Sequence, residues 1–239
     1  MTARIRYKRV LLKLSGEALL GDKPFGIDDA VTSRLAGEVE AASKLGVRIG
    51  LVIGGGNIFR GMTIAAEGGN RVAGDQMGML ATVMNAIAFE QKLAARGLKT
   101  RLFSAVPMPT ICETFYQHAA QAAYDGGEVV LFAGGIGSPF VTTDTGAALR
   151  AAEMGADALF KATMVDGVYT ADPKRDPNAT RYDRLTFDEA IGKGFKVMDI
   201  AAMALARDNG IPIIVFTIHE PGAFIDILKG GGRATVVAG

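Results

Sequence analysis

Cysteine and histidine are nearly absent from this chain, and the shortage narrows its chemistry. Cys112 is the single cysteine of 239 residues, and His118 and His219 are the two histidines. One cysteine excludes an internal disulfide and suits a reducing compartment. A zinc centre of Cys and His ligands is not supported by so few, widely spaced donors. A Cys–His nucleophilic pair would have to use Cys112, which follows Thr110 and Ile111 in an apolar context. A lone cysteine there reads as a small buried apolar residue. Neither charge sign dominates: 26 Lys and Arg face 25 Asp and Glu, a net charge of +1. The excess that marks a nucleic-acid binder is missing. The longest run without Asp, Glu, Lys or Arg, Val129 to Thr143, is broken by glycines and a proline, so no membrane helix is expected. Met1 to Val10 contains no apolar signal core, and the expected location is the cytoplasm.

Glycine is the opposite case. With 31 residues it reaches almost twice its ordinary share. Apolar residues make up 49% and charged residues 21%, enough for a sizeable core and against disorder. Short β-branched runs alternate with amphipathic stretches. Strands are expected at Val10–Leu14, Val47–Ile53, Arg101–Val106, Val129–Ala133, Ala158–Phe160, Ile213–Phe216 and Ala234–Ala238. Helices are expected at Asp28–Lys44, Asp75–Ala95, Thr114–Tyr124, Asp144–Met154 and Asp199–Asp208. Thr163 to Asp188, with its Asp-Gly and Asp-Pro turn signals, reads as a long loop or hairpin beside the sheet. There is no linker, repeat or low-complexity tract. The pattern implies an α/β protein: a three-layer α/β/α sandwich around a mostly parallel sheet of about eight strands, one domain over 1–239.

Many glycines stand where strands end, which invites a phosphate-binding reading. The standard fingerprints fail. The Gly192-Lys193 pair is followed by Gly194, so there is no P-loop. A dinucleotide fingerprint starting at Gly54 and Gly56 meets Phe59 at its last position. Protein-kinase motifs and a nucleophile elbow are absent. What remains is a set of strand ends: Lys13-Leu14-Ser15-Gly16-Glu17, Gly54-Gly55-Gly56-Asn57, Gly134-Gly135-Ile136-Gly137 and Lys161-Ala162-Thr163. In a parallel sheet these share the carboxyl edge, where ligands bind. Backbone amides and helix starts there favour anionic oxygens. A lysine between leucines is costly without an anionic partner. Lys13 and Lys161 together suggest two cationic contacts to a transferring phosphoryl group; the alternative is strand-end side chains snorkelling to solvent.

These segments, with Gly74-Asp75 through Met84-Asn85, Thr142-Thr143-Asp144, Val165-Asp166-Gly167-Val168-Tyr169, Ala171-Asp172-Pro173 and Lys196-Val197-Met198-Asp199, resemble the bacterial uridylate (UMP) kinases of the amino acid kinase superfamily. The resemblance runs from Lys8 to the C-terminus. The glycine triplet and first-strand lysine are shared with acetylglutamate, carbamate, glutamate and aspartate kinases; the Gly74–Asn85 segment resembles the UMP kinase branch in particular.

The resemblance implies transfer of the ATP γ-phosphoryl group to UMP, with Mg²⁺ accompanying ATP and its ligands left open. It implies an acceptor part over roughly 1–160 and an ATP-binding part over roughly 161–239. By the same resemblance Lys13, Lys161 and Asp144 are catalytic, with Asp144 orienting the lysines. ATP falls to Lys13, Leu14, Ser15, Gly16, Gly56, Arg60, Thr163, Tyr169 and Asp172. UMP falls to Gly55, Asp75, Ile136, Gly137, Ser138, Pro139, Phe140, Val141, Thr142 and Thr143. Several of these have plainer readings: Asp75 and Asp144 as helix N-caps, Arg60 as a solvated helix-start residue, Tyr169 as core filling. Asp199 reads as a cap and is left out of the catalytic set. The chain departs from the family at Ile136 and Ser138, where Thr and Asn are usual. The resemblance further implies a homohexamer activated by GTP and inhibited by UTP, with GTP at Gly21, Asp22, Lys23, Pro24, Phe25, Gly26 and Arg101. Glu128 lies where a basic residue would suit an anionic effector. The helix from Asp75 would then carry an oligomer interface or serve one protomer's own core. The competing functions are a small-acid kinase on the same fold, a nucleotide sensor without catalysis, and a nicotinamide-dependent oxidoreductase.

Overall fold

Alternating burial along the strands sets the architecture. The computed structural model describes residues 5–59, 69–173, 175–195 and 197–239. In β1 (Arg9–Leu14), Val10, Leu12 and Leu14 join one core cluster while Leu11 joins another. The period-two pleat therefore sends Lys13 to the face of Leu11. The same alternation recurs in β2 (Arg48–Ile53), β5 (Val129–Ala133), β6 (Ala158–Thr163) and β8 (Ile213–Thr217). A sheet apolar on both faces needs a helical layer on each.

Those layers are present. The Leu12 face packs against α1 (Asp29–Lys44), α2 (Arg71–Ala94) and α7 (Ala223–Leu228). Phe160, Phe216 and Phe224 interlock there, with Phe224 stacked on Phe216. The Leu11 face packs against α3 (Gln117–Gly126), α4 (Thr143–Glu153), α5 (Phe187–Gly192) and α6 (Ile200–Asp208). Small residues of α4, Ala147, Ala148 and Ala151, are fully buried, letting it lie close to the sheet.

The sheet has nine strands among the described residues, in the order β4 (Glu113–Thr114), β3 (Thr100–Ser104), β5, β2, β1, β6, β8, β9 (Thr235–Ala238), β7 (Arg184–Thr186). Every neighbouring pair is parallel except β8 and β9. The carboxyl ends of β1, β2, β5 and β6 thus share one edge, as expected.

The differences from expectation are local. Helix α2 begins at Arg71, four residues before Asp75, because the Asn70 side chain caps it by accepting from the Val72 and Ala73 amides. Glu113 and Thr114 pair with β3, which delays α3 to Gln117. The Thr163–Asp188 segment contributes edge strand β7 and runs into α5, whose Thr186 and Glu189 form a capping box. Cys112 is half-buried rather than buried, and burial pushes its thiol upward, away from reactivity. No described helix is long and apolar enough to cross a membrane.

Candidate active site

The register of two adjacent strands creates the central feature. Lys13 of β1 lies directly opposite Lys161 of β6, so both side chains rise from the same face. Two ammonium groups so close repel each other unless an anion intervenes. Asp144, in the first turn of α4, supplies it. Lys13 Nζ stands 2.7 Å from Asp144 Oδ1, and Lys161 Nζ donates to Oδ2 at 2.9 Å. Lys161 also donates to the Val197 carbonyl at 2.5 Å. Lys13 is 7% exposed; it does not snorkel to solvent.

Burial alone would push the Asp144 carboxyl up, but the Lys13 and Lys161 ammoniums outweigh it and hold it below its ordinary 3.8. Burial pulls Lys161 below its ordinary value, against the opposing pull of Asp144. Two cations and one anion leave a net positive charge in a part-buried place, which favours an anionic ligand.

Asp144 is not the N-cap of α4. Thr142 fills that position, its hydroxyl accepting from the Asp144 and Thr145 amides. Asp75 is not a cap either, since α2 has already begun at Arg71. Asp199 does cap α6, through the Ala202 amide at 2.8 Å. It also accepts from the Thr142 and Thr145 hydroxyls, joining the starts of α4 and α6. The sequence reading missed that second duty, because a cap before a helix looks complete in itself.

Two clefts lie side by side along the carboxyl edge. The larger, about 540 Å³, is lined by Lys13, Ser15, Lys161, Thr163, Tyr169 and Asp172, among others. Tyr169 is therefore not core filling; its hydroxyl donates to Asp166 at 2.5 Å, and Asp166 also pairs with Arg233. The Thr163 hydroxyl folds back on Val165 and shapes the turn. Leu14 points into the core and does not line this cleft. Gly16 is sterically required: a Cβ there would stand 2.6 Å from Gly54 O.

The smaller cleft, about 140 Å³, is lined by Gly55, Gly56, Asp75, Ser138, Val141 and Thr143, among others. Gly56 thus sits here rather than in the larger cleft. Asp75 accepts from Arg71 Nε at 2.9 Å and from the Phe140 amide at 2.8 Å, and these bonds outweigh burial to hold its carboxyl low. Phe140 takes a left-handed φ of 67° and is 68% exposed. Gly137 closes a turn onto Gly134. Ile136 lies close to Gly146 of α4, and neither it nor Pro139 or Thr142 lines this cleft.

The segment 21–26 and Arg101 line neither cleft. Arg60 falls outside the described residues. In the segment 21–26, Gly21 has a φ of 56°, Lys23 donates to the Ile27 carbonyl, Asp22, Pro24 and Phe25 are exposed, and Gly26 donates to the Asn57 carbonyl. Arg101 lies on β3, separated from β1 by β5 and β2, and donates from Nε and Nη2 to the two carboxylate oxygens of Glu113. Among the described residues no three carboxylate, imidazole or thiolate groups converge on a possible metal position. Both Asp144 oxygens face lysines. These donors do not fit a metal held by the protein alone.

Comparison with known proteins follows this geometry. The amino acid kinase family model matches residues 8–217. The chain is 60% identical to the uridylate kinase of Agrobacterium fabrum over 99% of its own length and 98% of that protein's. It is likewise 60% identical to that of Rhizobium meliloti, covering 99% of each. The crystal structure of UMP kinase from Bacillus anthracis superposes with a TM-score of 0.94 at 37% identity, over 97% of this chain and 96% of that one. UMP kinase from Ureaplasma parvum gives 0.92 at 35% identity, over 98% and 100%. By sequence and by structure alike, the chain belongs to the amino acid kinase family, in its uridylate kinase branch.

Proposed function

We propose that the protein transfers the γ-phosphoryl group of Mg-ATP to UMP, forming ADP and UDP. The observation that carries this reading is the Lys13–Asp144–Lys161 cluster, whose lysines line the larger cleft and whose aspartate directly follows Thr143 of the smaller one. ATP occupies the larger cleft, over β1, β6 and β8, between the Tyr169–Asp172 turn and Lys13, Ser15 and Lys161. UMP occupies the smaller cleft, over β5 and β2, with Asp75 toward the ribose hydroxyls. Residues 161–239 supply most of the donor side, and β1 and β2 bring Lys13 and the glycine triplet to the meeting point.

The nucleophile is a phosphate oxygen of UMP that is already anionic, so no strong general base is needed. As its bond to the γ-phosphorus forms, the bond to the β,γ-bridging oxygen breaks and the electron pair leaves with ADP. Lys13 and Lys161 stabilise charge that shifts toward the transferring group and the leaving oxygen. Asp144 offsets the repulsion between the two lysines and aims them. Alignment by the glycine-rich backbone supplies the remainder.

Family membership supports the finer assignments of this reading. The enzyme serves pyrimidine nucleotide (UTP and CTP) synthesis in the cytoplasm, works as a homohexamer, and answers to GTP as activator and UTP as inhibitor. The apolar face of α2, where Met77, Leu80 and Met84 are about half exposed, supports a subunit contact. The test of the reaction is ADP release from Mg-ATP with UMP, CMP, carbamate or acetylglutamate. Turnover with UMP alone is expected. Turnover with a small acid instead, or none with UMP, overturns the assignment.

A further inference from the structure

The buried amide pair Asn57 and Asn85 lies outside both clefts and yet touches the glycine triplet. Asn57 is 3% exposed and Asn85 is fully buried. Their side chains bond reciprocally: Asn57 Nδ2 donates to Asn85 Oδ1 at 2.9 Å, and Asn85 Nδ2 donates to Asn57 Oδ1 at 2.7 Å. Each amide spends its second N–H on a backbone carbonyl. Asn85 donates to Gly54 O at 2.7 Å, and Asn57 donates to Gly26 O at 2.9 Å. Gly26 returns a bond from its amide to Asn57 O at 3.0 Å. All four side-chain N–H donors are therefore used, an arrangement that apolar residues of the same shape cannot reproduce, since the buried Gly54 carbonyl and the half-buried Gly26 carbonyl would both lose their donors.

Three chain segments meet at this pair. Gly16, just past β1, fits so tightly that an added Cβ would lie 2.6 Å from Asn57 Oδ1 and 2.7 Å from the Gly56 nitrogen. Gly54 is tied to β1 through the Leu14 carbonyl. Helix α2, which carries Asn85, also carries Asp75 and Thr82; Thr82 Oγ1 accepts from the Gly134 amide at the start of the opposite loop. Helix α2 thus bonds both to the glycine triplet and to the loop opposite it, on the two sides of the smaller cleft.

We propose that Asn57 and Asn85 form a positioning pair that sets the glycine triplet for phosphoryl transfer and couples it to the segment 21–26. This rests on the phosphotransfer reading. Neither side chain reaches a substrate; both act through Gly54 and Gly26.

The tests use the full-length enzyme. Asn85→Leu removes the donor to Gly54 and leaves Asn57 half-paired. The expected result is a fall in kcat of at least about tenfold, the scale of a small misalignment, with both KM values within about threefold. The Asn57→Ala/Asn85→Ala double variant is expected to lose no more than the worse single variant, as one unit should. Hydrogen exchange is expected to quicken in peptides covering 21–28 and 53–59 together. Asn85→Asp keeps the size and gives a readout that simple damage would not. Its carboxylate cannot donate to Gly54 O, whereas its protonated form can, and burial raises its pKa. Its kcat relative to the parent enzyme is expected to rise as pH drops from about 8 to about 6. If Asn85→Leu does not fold, this profile decides. Variants within twofold of the parent, additive losses, or a flat profile for Asn85→Asp overturn the pairing role. Absence of UMP turnover in the parent overturns the phosphotransfer reading instead, and the exchange experiment still reports on the coupling.

Discussion

Asp144 shows how one residue can serve two cations that the register forces together. Lys13 was legible as an anomaly, a charge amid leucines. Its partner was legible only through family resemblance, because nothing local to Lys13 points to a carboxylate on a helix far along the chain. Asp144→Asn keeps the shape and removes the charge. It leaves two part-buried ammoniums without their counterion, a loss of about 3 kcal/mol for a broken buried pair. For a chain of this size the melting temperature is expected to fall by about 6–12 °C, together with a drop in kcat of about 10² or more, the loss also expected of Lys13→Ala when one charge-stabilising donor is removed. A calorimetric melt and steady-state kinetics check both; an unchanged melt would show that the cluster is not held by Asp144. The sign of the pH effect follows from the depressed carboxyl. Its stabilising charge is fully present above the ordinary value of 3.8 and is lost only as pH falls through the lower folded value.

At the scale of elements, helix ends were less legible than helix bodies. The apolar spacing of α2 was readable, while its start was missed because Asn70 lies beyond the last apolar repeat. Helix α7 had no sequence expectation at all: it is short, and its N-terminus is capped from outside by Glu38 of α1, which accepts from the Gly222 amide at 3.2 Å. Glu38 lies beside Leu12, Leu14, Phe216 and Phe224. Burial pushes its carboxyl above the ordinary 4.5, against the pull of the Gly222 amide and Arg34. A raised folded pKa gives stability that is present below the unfolded value and lost as pH rises through the folded one. At neutral pH the ionised carboxylate is therefore a cost. Glu38→Gln retains an oxygen for Gly222 and removes the charge. A gain of about 2 °C in melting temperature at neutral pH is expected for an effect of about 0.5–1 kcal/mol. The gain should vanish below the ordinary carboxylate range. Melts across pH check it; a lower neutral melt would mean that the Arg34 ion pair, 3.4 Å long, matters more than burial.

At the scale of the molecule, three layers and a shared carboxyl edge followed from the alternation of strands and helices, and the clefts stand where those rules put them. The sheet order did not follow. Edge strands β4 and β7 are short, and β9 runs against β8, so their pairing depends on contacts that no local pattern encodes. The outer face of α2 is the remaining test of scale. Its inner side chains, Val83, Ala86 and Phe89, fill the protomer's own core, which accounts for part of its apolar repeat. Met77, Leu80 and Met84 follow the same helical spacing on the solvent side, with exposures of 44%, 50% and 55%. A stripe of that kind on a free monomer is unfavourable, and burial against a second copy relieves it. Light scattering is expected to give a mass near six times the 25.0 kDa chain. Leu80→Asp places a charge in the middle of the stripe and is expected to shift the assembly toward smaller species while circular dichroism stays unchanged, since Leu80 contributes little to the protomer's core. A parent enzyme that runs as a monomer, or a Leu80→Asp variant of full assembled mass, would remove α2 from the interface and leave its outer face without that role.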